Sequence, residues 1–90
     1  MLGVFAQLDT DDEVYKLLQD LCTVREINDM AQRLQVARLL AKGASYLEIQ
    51  ETTGASATTI SRVSKCLNYG SGGYGLAIEC FDAGAGGETE

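Results

Sequence analysis

The 90-residue chain has no histidine, and its cations are few: seven Lys and Arg stand against thirteen Asp and Glu, for a net charge of −6. Without histidine the usual His-containing zinc sets are excluded, as is the base that most often activates a serine or cysteine nucleophile. Cys22, Cys66 and Cys80 are odd in number, widely spaced and form no Cys-x-x-Cys pair. They read as reduced thiols, with Cys22 and Cys66 packing as small hydrophobes. No metal, cofactor or catalytic residue is expected: the carboxylates sit mostly on capping or end segments, and no nucleophile and base fall together. There is no P-loop either. No apolar run nears the roughly 20 residues that a membrane-spanning helix needs. Met1 to Leu8 lacks the basic start and the length of a secretion signal, so the expected location is the cytoplasm.

What is present is the composition of a folded domain, 46% apolar and 22% charged. The charge is unevenly spread. Residues 1–22 sum to −4, residues 23–69 to +2 and residues 70–90 to −4, so acidic ends flank a mildly basic centre. The expected organisation is one helical domain over residues 1–82 followed by a flexible acidic tail, Ala83 to Glu90, made mostly of small residues.

Helix signals recur along the chain. Thr10-Asp11-Asp12-Glu13 fits a capping box, with acids favourable at the positive end of the helix dipole. Val14, Leu17, Leu18, Leu21 and Cys22 then form a stripe that one helix cannot bury alone. A second box, Thr23-Val24-Arg25-Glu26, opens a long segment to Lys42 that contains no Gly or Pro. Its apolar positions, Ile27, Met30, Ala31, Leu34 and Ala37 widened by Val36, Leu39 and Leu40, predict burial on more than one side. Asn28 and Asp29 are weak helix formers and mark a place where it could break. Gly43 stands where a helix C-terminus favours glycine. After Leu67, Asn68 to Gly73 reads as a loop, and a short helix over about Tyr74 to Phe81 closes the fold.

Tyr46 to Leu67 is the stretch that points to a function. Ser45 with Glu48 caps a first short helix on which Leu47, Ile49 and Thr53 offer an apolar face. Gly54-Ala55-Ser56 turns the chain, and Ile60, Val63 and Leu67 carry a second helix at helical spacing. This is a helix-turn-helix pattern over about residues 46–67. Ser56, Thr58, Thr59, Ser61, Arg62 and Lys65 remain on the other faces of the second helix. Short hydroxyls and cations there suit phosphate and base-edge contacts in double-stranded DNA. The structural alternative is a helical hairpin with a polar outer face, in a module that binds a transcription or replication protein without reading DNA.

From Leu21 to Gly70 the chain resembles the tryptophan repressor family, and within it the small YerC/YecD-like branch. The likeness runs through LCTVREINDMAQRLQVARLLAKG, SYLEIQETTGAS and TTISRVSKCLNYG. It implies an all-α fold whose N-terminal helices interlock with those of a second subunit, giving an intertwined homodimer. It also implies a sequence-specific DNA-binding transcriptional regulator, a repressor by analogy. The family's corepressor pocket maps onto Thr23, Arg33 and Arg62. Arg33 has a plainer reading as half of an ion pair on its own helix, and Arg62 as a phosphate contact. Two positions depart from the pattern: Val63 stands where the family has a glycine beside the ligand ring, and Cys66 where it has a serine. Added bulk against a flat ligand is a steric obstacle, so tryptophan is not expected to bind.

Overall fold

The computed structural model describes residues 1–82, which form six helices: α1 Leu2–Gln7, α2 Asp11–Leu21, α3 Val24–Ala41, α4 Tyr46–Thr53, α5 Ala57–Tyr69 and α6 Gly73–Asp82. There is no strand among the described residues, so the all-α expectation holds. The acidic tail expected over residues 83–90 lies outside the described residues. The chain divides into two compact units, Met1–Met30 and Ala31 onward, and α3 runs through both.

The first unit is assembled by local rules. Thr10 accepts the Glu13 amide at 3.1 Å, while the Glu13 carboxylate reaches back one residue further than the motif requires, to the amide of Asp9 at 2.9 Å. Thr23 and Glu26 form the complete reciprocal box, at 2.7 and 3.1 Å. The Asp12–Lys16 pair on α2, at 3.1 Å, is exposed and contributes little. The stripe of α2 is only half-covered: Val14, Leu17, Leu18 and Cys22 are half-buried, Leu21 is 59% exposed, and no residue from 1 to 30 is fully buried. Helix α1 was not expected from the sequence; it has six residues and no side-chain cap.

The second unit holds the core. Val36, Ala37, Ile49, Ala55, Ile60 and Val63 are buried, with Leu39, Leu40, Ala44, Tyr74 and Ile78 packed around them. Burying each larger side chain stabilises the unit by about 1.5–3 kcal/mol before entropy is counted. Helix α3 is continuous through Asn28 and Asp29, so the weak helix formers there do not break it. It ends in a Schellman motif: Gly43 has φ 88°, its amide donates to Leu40, and the amide of Ala44 donates to Leu39. The Gln32 side-chain amide donates to the Thr53 carbonyl at 3.1 Å, fixing the end of α4 against α3. Helix α6 begins one residue earlier than the sequence suggests, at Gly73, and packs on α5.

Candidate nucleic-acid interface

The turn between α4 and α5 is built by residues that leave little freedom. Gly54 ends α4 with φ 77°, a conformation that costs a residue bearing Cβ about 1 kcal/mol or more. The Thr53 hydroxyl donates to Ile49 and accepts from the Ala55 amide, closing the corner from inside. Ala55 is buried at the turn. Ser56 then caps α5, accepting the Thr59 amide at 3.2 Å and donating to the Thr59 hydroxyl at 3.1 Å. Both helices of the motif therefore start from a serine cap, and α4 carries the full box with Glu48.

Helix α5 is two-sided. Ile60 and Val63 are buried and Leu67 is half-buried, while Thr58, Ser61, Arg62 and Lys65 are exposed at i, i+3, i+4 and i+7. Ser56 and Thr59 are different: their hydroxyls hold each other in the cap, and Thr59 is half-buried. The ion pair between Asp12 and Lys16 is the one formed among the described residues, so Arg62 and Lys65 pair with no carboxylate of those residues. With 13 residues α5 is about 20 Å long, enough to lie across a major groove about 12 Å wide.

Helix α4 corrects one expectation. Of Leu47, Ile49 and Thr53, only Ile49 is fully buried; Thr53 is half-buried and Leu47 is 64% exposed. The helical repeat explains this, since two residues of separation rotate a side chain by about 200°. Counting the period from Ile49 points Leu47 away from the core. Tyr46 is also exposed, at 44%, and α4 carries no Lys or Arg.

Of the positions matched to the family's corepressor pocket, Thr23 lies in the first unit and Arg33 and Arg62 in the second. Thr23 is engaged by both arms of its cap, and Arg33 and Arg62 are exposed and outside any ion pair among the described residues. Val63 is 2% exposed and belongs to the core. Cys66 is exposed, contrary to the expectation that it packs as a small hydrophobe. It lines an open cavity of about 440 Å³ with Leu34, Gly70, Ser71, Gly73, Tyr74 and Ala77. Among the described residues no cluster of His, Cys, Asp and Glu has metal-binding geometry, and no helix is long and apolar enough to cross a membrane.

Residues 1–81 match the family model of the Trp repressor protein. The chain belongs to the Trp repressor family. Within that family it falls on the YerC branch: it is 52% identical to the uncharacterized protein YerC of Bacillus subtilis over 68 residues, which cover 76% of this chain and 65% of YerC. The chain thus spans just under two thirds of that relative's length. A crystal structure of a TrpR-like protein from Eubacterium eligens matches with a TM-score of 0.85 at 41% identity, covering 91% of this chain and 84% of that one. A crystal structure from Staphylococcus aureus matches with a TM-score of 0.85 at 36% identity, covering 92% and 83%. The Trp repressor fold is therefore shared by the described residues almost in full.

Proposed function

We propose that this member of the Trp repressor family is a DNA-binding transcriptional regulator rather than an enzyme, reading duplex DNA with α5 and acting as a homodimer without responding to tryptophan. The observation that carries this reading is the outward stripe Thr58, Ser61, Arg62 and Lys65 on a capped helix. Its hydroxyls and exposed cations suit phosphate and base-edge contacts. Ser56 shapes the helix start and spends its one hydroxyl proton on Thr59, whose own hydroxyl proton is the one left to donate to a phosphate. Residues 1–82 act as one functional domain in the dimer, because the apolar faces of residues 1–30 find no full cover within one chain.

Two cations per copy on the stripe make affinity for a single copy modest, and pairing two copies doubles the neutralised phosphates. The test is fluorescence anisotropy with duplexes enriched from a random-sequence pool, at several salt concentrations. Binding should weaken steeply as salt rises. Arg62→Ala and Lys65→Ala should each lower the logarithmic salt slope by about one per copy. Binding that survives both substitutions unchanged removes α5 as the reading helix. Indifference to duplex DNA at low salt points instead to a protein partner in transcription or replication.

A further inference from the structure

Leu47 stands out once α4 is seen in place. It is the second residue after the Ser45 cap, 64% exposed, on a helix whose neighbouring Ile49 is fully buried. Thr58 holds the same position after the Ser56 cap on α5. In a docked helix-turn-helix the first helix crosses the DNA backbone, a task commonly served by cations that neutralise phosphate. Helix α4 has none: its charged residues are Glu48, tied back to the Ser45 amide at 2.9 Å, and Glu51, exposed and anionic. A surface of that composition offers a phosphate no neutralising charge. The apolar group that a base edge offers in the major groove is the C5-methyl of thymine, and it matches an aliphatic side chain.

We infer that Leu47 is a specificity-determining residue that packs on a thymine C5-methyl group in the site read by α5. This rests on the proposed DNA reading and adds a base preference to it. Leu47 supplies hydrophobic contact; Tyr46, 44% exposed beside it, supplies a hydroxyl donor for the adjoining phosphate. Because Leu47 contributes little to the core, its truncation leaves the fold in place.

The test separates the methyl from everything else in the operator. Duplexes enriched with the wild-type chain are remade with deoxyuridine in place of thymidine, one position at a time, which deletes one methyl and keeps every hydrogen-bonding group. Wild type should lose about four-fold in affinity at the contacted position, the value of one buried methyl-sized group. Leu47→Ala should bind the thymidine duplex about as weakly as wild type binds the deoxyuridine one, and should be blind to the exchange. Equal sensitivity in Leu47→Ala assigns the methyl to another side chain and overturns the inference. So does a wild type that ignores the exchange while still losing affinity in Leu47→Ala, which marks a sugar contact without sequence preference. If the wild-type chain binds no duplex, the DNA reading itself fails, and Arg62→Ala reports that separately.

Discussion

The guanidinium carbon of Arg38 lies 4.7 Å from the centroid of the Phe81 ring, joining the C-terminal part of α3 to the last turn of α6. The same side chain has a buried Nε without a hydrogen-bond partner among the described residues. The ring quadrupole attracts the guanidinium and offsets part of the cost of its unsatisfied nitrogen. A double-mutant cycle with Phe81→Leu and Arg38→Met should give a coupling of about 0.5–1 kcal/mol in urea unfolding at fixed protein concentration. Arg38→Met should cost less than Phe81→Leu, because it also removes the orphaned donor. A coupling near zero means that α6 is held by Tyr74 and Ile78 alone.

Two glycines separate backbone strain from steric collision. Gly54 has φ 77° and open space where a Cβ would project, so Gly54→Ala meets only the left-handed backbone penalty, about 1 kcal/mol. Gly70 has an ordinary φ of −82°, but a Cβ there is driven into the backbone carbonyl of Cys66. Gly70→Ala should then cost about 1–3 kcal/mol, as overpacking does, and should shift the α5 to α6 connection. Thermal unfolding that ranks Gly54→Ala as the worse of the two contradicts this account.

What was legible in the sequence was local chemistry. The caps at Thr10, Thr23, Ser45 and Ser56 and the glycine at Gly43 each involve partners within about five residues, and each stands where its residue type predicts. Helix α1 was not legible because six residues without a cap give no start signal, and so short a segment has little helix propensity of its own. The exposure of Leu47 and Cys66 was hidden for a related reason. Cys66 follows Val63 by three residues and so sits at the edge of the inward stripe, where only the packing of α6 decides which side is covered. The family resemblance carried the fold, while at the two positions that depart from the family's pattern the structure buries Val63 and exposes Cys66.

Val63 turns that difference into an experiment. At 2% exposure it belongs to the buried cluster that includes Ile49, Ile60 and Val36, so side-chain bulk in the core stands where the resemblance puts a glycine. Isothermal titration with tryptophan should show no heat of binding at micromolar concentrations. Val63→Gly should destabilise the chain by about 2–4 kcal/mol, from lost burial, a cavity and mid-helix glycine together. It should do so without gaining tryptophan affinity, because Cys66 also departs from the family's serine. Stoichiometric micromolar binding by the wild-type chain is the result that removes this reading.

The first 30 residues make the sharpest claim about assembly. They contain the stripe Val14, Leu17, Leu18 and Leu21, and not one of them is fully buried within a single chain. A second copy is the proposed partner, and the proposal is tested most cleanly at Leu21. Because Leu21 is 59% exposed in one chain, a single-chain fold should tolerate Leu21→Lys within about 0.5 kcal/mol. The new cation even complements the negative end of α2, worth about 0.3–1 kcal/mol. In a dimer that buries Leu21, the same cation is desolvated without a partner, at a cost of several kcal/mol. Sedimentation velocity at micromolar concentration should therefore give a dimer for wild type and a monomer for Leu21→Lys. The variant should also bind DNA more weakly and with a shallower salt slope, as half of the phosphate contacts are lost. A wild-type chain that sediments as a monomer, or a Leu21→Lys variant that stays dimeric, leaves the stripe on α2 without its proposed partner.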